Sequence, residues 1–355
     1  MAAERSGGGR RALLPAARFA IAGAVLFYLV RSGALDWAEV RGVWTSWGTT
    51  LLAIGLLCGL MLVASWRLCL LFGPAAFGLT FGASVRLTLI GTFFNTFMPG
   101  GGGGDLVRIY YATTGNEGRR TEVVAIMLLD RVVGLASLLL VPLILAPLLW
   151  DTIGSDSRIA ALVAMSTALG FAVVAALALL VWRGDLAVRV LDRLGRRLPV
   201  LGHLERSVRV LGCFRGRAGT LVAGFAVAFA GHALGVGAIL SLAAGATSVV
   251  PTLGVAAVAP LGFIANALPI SPGGIGVGEA AMDALFSVAG HGGGAAAMLG
   301  WRLSMMLIGI VGLGVYLVGR RGFVTGGARD DTEAVATGEQ SRRHERDPAA
   351  SDGDP

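Results

Sequence analysis

Apolar residues fall in long blocks joined by short polar stretches that carry arginine. A helix that crosses a bilayer needs about 20 mostly apolar residues. Full-length candidates lie at roughly 17–34, 48–73, 122–149, 158–182, 219–244 and 294–318. Two more apolar blocks, 78–98 and 251–270, are interrupted by glycine and proline: the first ends in MPGGGGGD and the second in PISPGGIGVGE. The pattern predicts an all-α, polytopic membrane helix bundle with about six full spans plus two broken or re-entrant Gly/Pro-rich segments, arranged as inverted repeats.

Composition agrees. The 355 residues are 55% hydrophobic and 14% charged, and the mean hydropathy is +0.74. A soluble domain carries about 25% charged residues, so this much apolar side chain cannot be hidden in a water-exposed fold of this length. The net charge of +7 does not point to nucleic acid, because the basic residues, all arginine, sit between the apolar runs, where membrane orientation explains them. Cys58, Cys69 and Cys213 form no metal or redox spacing and read as small core residues.

Arginine placement predicts the orientation. Arg5, Arg10, Arg11 and Arg18 put residues 1–16 in the cytoplasm, with the first apolar block as an uncleaved anchor. Segments 31–47 and 150–157 suit the outside. The 183–217 loop carries Arg183, Arg189, Arg193, Arg196, Arg197, Arg206, Arg209, Arg215 and Arg217 and belongs inside, as does the end bearing Arg320 and Arg321. Within that loop, 184–198 reads as an amphipathic connecting helix lying on the headgroups. The transmembrane domain is expected to span 17–318, and the polar composition of 319–355 predicts a disordered cytoplasmic tail. Both termini are thus expected on the cytoplasmic side of the cell (inner or plasma) membrane.

The two interrupted blocks read as one motif used twice. The first runs Asn95, Pro99, Gly100 to Gly104, Asp105, Arg108; the second runs Asn266, Pro269, Pro272, Gly273, Gly274, Gly276, Gly278, Glu279. In both, an asparagine precedes a proline, a glycine-rich turn and an acidic residue that opens a new helix. Breaking a helix inside hydrocarbon frees backbone groups that protein or a wet cavity has to satisfy. Broken helices near the midplane of inverted repeats are a common way to build transporter sites, and the free N–H groups of the following helix favour an anion. Asp105 and Glu279 fall in the first turn of that helix, where capping competes with a role toward a cation or a proton. No Gly-Lys-Ser/Thr follows the first glycine run, so it is not a nucleotide loop.

Other ionisable residues lie in apolar blocks and are candidates by default. Arg67 is expected to snorkel from the end of its helix. Asp130 and Arg131 point about 100° apart on a helix, so each should pair with another helix, Arg108 or Asp105 being available. Arg302 suits either a pairing with Glu279 or Asp283 or an outward snorkel. His232 reads as a satisfied core histidine. No Ser-His-Asp order, His-Glu-x-x-His motif or metal-ligand spacing is present, so neither an enzyme nor a cofactor is expected.

The stretches Gly91 to Pro99, Gly104-Asp105-Leu-Val-Arg108, Leu129-Asp130-Arg131-Val-Val-Gly134-Leu135 and Leu268-Pro269 to Glu279 resemble the lysylphosphatidylglycerol synthase transmembrane region family, also called flippase-like domain proteins. The likeness covers about residues 15–320. Many relatives carry a second acid three residues after the arginine, where this chain has Gly134. The resemblance implies a polytopic inner-membrane protein that moves a phospholipid between leaflets, the aminoacylating domain of the best-understood relatives having no counterpart here. The implied partners are membrane lipids, anionic or aminoacylated phospholipids above all. The headgroup candidates are Asn95, Pro99, Gly104, Asp105, Arg108, Asp130, Arg131, Asn266, Pro269, Gly274, Gly276 and Glu279. Alternative expectations are a membrane partner of a cell-envelope glycosyltransferase or lipid-modifying enzyme, and an ion-coupled carrier of a small anion.

Overall fold

A computed structural model describes residues 37–75, 77–97, 103–114, 116–149, 157–195, 208–268 and 270–318, together with Phe27 and Arg31. Most of the expected first span, the tails 1–16 and 319–355, Pro99, Pro269, and the side chains of 185–207 lie outside the described residues. Every regular element among those described is helical. In chain order the main helices are α1 (Trp37–Thr45), α2 (Trp47–Phe72), α3 (Phe81–Phe97), α4 (Gly103–Thr113), α5 (Arg120–Leu145), α6 (Ser157–Gly195), α7 (Ala218–Thr247), α8 (Leu253–Ala267), α9 (Val277–Val288) and α10 (Gly294–Val318).

Five helices, α2, α5, α6, α7 and α10, are long and apolar enough to cross a membrane. They fall on five of the six expected full spans. The chain is a membrane-embedded, multi-pass helical protein. Large apolar side chains such as Leu51, Trp66, Leu135, Phe171 and Ile310 point outward, as a lipid-facing surface requires. Two boundaries differ from the sequence reading. The 31–47 segment contains the short helix α1, which packs on α7 and α10. Helix α6 runs on through the expected start of the Arg-rich loop to Gly195, with one non-helical residue at Arg183.

The interrupted blocks are helical hairpins that turn back on themselves. A helix rises about 1.5 Å per residue, so α3, with 17 residues, reaches about 25 Å, and the 11 residues of α4 reach about 16 Å. Neither arm matches a hydrocarbon core of about 30 Å. The side chain of Asn95 meets Gly104, and four residues further from the turn on both arms Gly91 meets the stem of Arg108. Contacts that step backward along α3 as they step forward along α4 define an antiparallel pair. The second hairpin repeats this geometry: Asn266 of α8 meets Gly278 just inside α9, and Gly262 meets Met282.

The chain therefore contains two units of like construction, α2 with α3–α4 and α5, and α7 with α8–α9 and α10. Helices α2 and α7 make the most extensive contact in the molecule. The hairpins are exchanged: α3 packs on α10 of the other unit, while α8 packs on α5. Because the first hairpin returns and α5 and α6 each cross, α7 starts on the side where α2 ends. The units thus run in opposite directions, and their hairpins enter from opposite faces.

Burial follows this exchange. Residues Val255 to Gly262 of α8 are all buried in succession, so this short helix is enclosed on every side. In α5, 56% of the most apolar stretch is buried within the protein, against 22% in α2, α6 and α10. Helix α5 is accordingly the central element, and it carries Asp130 and Arg131.

Close approach of α10 to α3 depends on Gly312, where an added methyl group would collide with the carbonyl of Leu89. Two residues on, Gly314 has nothing within 4 Å of that position. We predict that Gly312→Ala lowers stability by about 1–3 kcal/mol through overpacking, while Gly314→Ala leaves it unchanged or slightly raised. Equilibrium unfolding of the purified protein in mixed micelles measures both.

Candidate functional site

At the tip of the first hairpin, the Asn95 side-chain oxygen accepts a hydrogen bond of 2.9 Å from the Gly104 N–H. This satisfies one of the free donors at the start of α4. An added methyl group on Gly104 would strike the Gly91 carbonyl and the Asn95 side chain, so only glycine allows the arms to close here. Asp105 follows in the first turn of α4 and forms an ion pair with Arg131 of α5. That pair is open: the side chains are 34% and 48% exposed. Arg108, one turn further along α4, is the opposite case. Its side chain is 8% exposed and lies 3.9 Å from an Asp105 oxygen, and its Nε has no hydrogen-bond partner.

The second tip is closed. Arg302 of α10 donates from Nε to Glu279, from one terminal nitrogen to the Gly273 carbonyl at 2.6 Å, and from the other to the Asn266 side-chain oxygen at 2.7 Å. Glu279 is 1% exposed and also accepts from the Gly276 N–H at 2.8 Å. It caps its helix and pairs with Arg302 at once, two roles that the sequence reading had set apart. The turn passes through Gly273, Gly274 and Gly276 with φ of 62°, 70° and 83°, a region that side chains rarely occupy. Asp283 does not pair with Arg302; it hydrogen-bonds the backbone of Ala295 in the first turn of α10.

Asp130 and Arg131 point to different helices, as their spacing predicts; Arg131 pairs with Asp105, one of the two expected partners, while Asp130 does not pair with Arg108. It accepts a 2.8 Å bond from Arg67 Nε of α2, and the two side chains are 4% and 13% exposed. The expectation that Arg67 snorkels to a headgroup is therefore corrected. Its chain extends inward because Gly134, one turn along α5 from Asp130, leaves room for the guanidinium. Beside it His232 of α7 lies 3.1 Å from the Ser137 hydroxyl and 3.2 Å from the Gly134 carbonyl, which makes it a hydrogen-bonded core residue.

The structure thus brings Asn95, Gly104, Asp105, Arg108, Asp130 and Arg131 into one cluster with Arg67, and Asn266, Gly274, Gly276 and Glu279 into another with Arg302. Sequence reasoning named Gly91 only as the start of a family-like stretch, with no role at the site, and passed over Gly262 and Met282. One signal for the glycines was available: each stands four residues before the asparagine of its hairpin, on the same helix face.

A family model described as Lysylphosphatidylglycerol synthase TM region matches residues 16–312. The chain belongs to that family. Neither the search of curated proteins nor that of solved structures finds a match.

Removing one partner of a buried ion pair costs about 3–5 kcal/mol, whereas replacing both by apolar residues of similar volume is often neutral. Asp130→Asn is therefore expected to destabilise the protein strongly, and the double variant Arg67→Met/Asp130→Leu to recover most of the loss. A double-mutant cycle of unfolding free energies in micelles tests this.

Proposed function

We propose that this member of the lysylphosphatidylglycerol synthase TM region family moves a phospholipid or lipid-linked headgroup between leaflets, without nucleotide hydrolysis and without altering the lipid chemically. One observation carries the reading: two hairpins from opposite faces hold ion pairs at their tips, within membrane depth. Charge placed there is costly, about 2.5–3.5 kcal/mol per residue on insertion scales, and marks a polar path across the bilayer.

The half-open pair of Asp105 and Arg131 is the entry to that path. A headgroup exchanging its water for these side chains travels along the protein while its acyl chains remain in lipid, so a groove suffices. The exchanged packing of α3 on α10 and α8 on α5 lets one unit tilt against the other about the α2–α7 contact. Such movement would open the site to each face in turn, as inverted repeats do in other transporters. The lipid moves down its own gradient unless an ion gradient is coupled to it.

The test is reconstitution in liposomes that contain fluorescent anionic, zwitterionic or aminoacylated phospholipids. Wild-type protein is expected to accelerate exchange between leaflets for at least one of them. Arg131→Gln and Asp105→Asn each remove a charge-assisted hydrogen bond worth about 1.5–3 kcal/mol, a loss of about tenfold or more in rate. Folded wild-type protein that moves none of the three lipids would overturn the reading.

A further inference from the structure

We propose that the two hairpins have divided their work: the first is a seat for a single phosphate monoanion, anchored by Arg108, and the second, its internal copy, is sealed upon itself. The copy relation can be followed position by position. Gly91 corresponds to Gly262, Asn95 to Asn266, Gly104 to Gly278, Asp105 to Glu279 and Arg131 to Arg302, each by the same contact or ion pair in its own hairpin. One position breaks the relation. Three residues after the acid, the side chain that lies over the first glycine is Arg108 in the first hairpin and Met282 in the second.

The charge balance differs accordingly. In the second hairpin Arg302 and Glu279 neutralise each other, and each nitrogen of the guanidinium has a partner. Around the first, the charges that act on Arg108 are Arg131, Asp130, Asp105 and Arg67. Arg67 is held by Asp130, and Asp105 is shared between Arg131 and, at 3.9 Å, Arg108, so three guanidiniums face two carboxylates and one positive charge is in excess. The Arg108 side chain is more than nine-tenths buried, and its Nε is without a partner. An uncompensated buried charge is among the costliest features a fold can carry. Met282 shows that an uncharged side chain fills the same groove.

One missing negative charge beside a planar fork of N–H donors describes the ligand. A phosphate diester presents one charge and two equivalent oxygens, which match a guanidinium. The phosphate of a lipid headgroup reaches the seat past the half-open pair of Asp105 and Arg131, and a headgroup amine then finds Asp105. That the phosphate belongs to a lipid rests on the translocation reading above; the seat itself does not.

The test compares wild type, Arg108→Met and Arg108→Lys in uncharged detergent. Each is titrated with short-chain phosphatidylglycerol, with a short-chain diacylglycerol lacking phosphate, and with inorganic phosphate; calorimetry and the melting temperature are the readouts. Wild type is expected to bind phosphatidylglycerol and not diacylglycerol. Arg108→Met should bind at least tenfold more weakly, with Arg108→Lys between them. Without ligand, Arg108→Met should melt no lower than wild type, because the cluster's excess positive charge is gone. Binding unchanged in Arg108→Met, or a ligand-free melting temperature well below wild type, would overturn the seat. Equal binding of inorganic phosphate keeps the seat and makes free phosphate its ligand. In the liposome assay, lipid exchange that persists unchanged in Arg108→Met sinks the seat alone. Phosphatidylglycerol binding by wild type that moves no lipid sinks the translocation reading alone.

Discussion

Every structural choice in this protein follows from breaking a helix where there is no water. A backbone group left free in hydrocarbon costs several kcal/mol, so the chain can turn inside the membrane only where its own side chains replace the solvent. Asn95 does this for Gly104, and Glu279 and Arg302 do it for Gly276 and Gly273. These bonds are short-range, and they form only if the two arms of each hairpin nearly touch. Hence Gly104 and Gly91 face each other in the first hairpin, and Gly278 faces Asn266 in the second.

Closing the hairpins creates a second demand. An arm such as α8, apolar on every face, is too short to span and has to be enclosed by other helices. Each unit solves this with the other's last helix, α10 around α3 and α5 around α8. Neither unit is complete without its partner. Each tip takes its counter-charge from the last helix of its own unit, Arg131 of α5 for Asp105 and Arg302 of α10 for Glu279.

The same logic sorts the charges by what they can do. The Arg67–Asp130 and Arg302–Glu279 pairs are enclosed, and they fix α2 on α5 and α9 on α10. Asp105 and Arg131 are paired yet half-exposed, which leaves hydrogen-bonding capacity on their outer side. Arg108 alone among these guanidiniums has an idle buried nitrogen. The two hairpins thus differ electrostatically in two ways: an open ion pair against an enclosed one, and arginine against methionine over the first glycine.

Much of this was written in the sequence. Long apolar blocks fix a helical membrane protein, because in lipid only a helix or a closed barrel satisfies its own backbone. The Asn–Pro–Gly–acid order marked both breaks, and adjacency alone showed that Asp130 and Arg131 serve different helices. What the sequence left open was whether the broken blocks cross or return, and which charges meet. Those depend on side chains far apart in the chain: Gly91 against Arg108, Arg67 against Asp130, Arg302 against Asn266. Arg67 illustrates the limit. Near the end of an apolar helix it has the pattern of a snorkelling residue, and only the packing of α2 on α5, with the space over Gly134, turns it inward. Local pattern decides where a chain is apolar and where it bends; partners for a buried charge are decided by the tertiary contacts that exclude the alternatives.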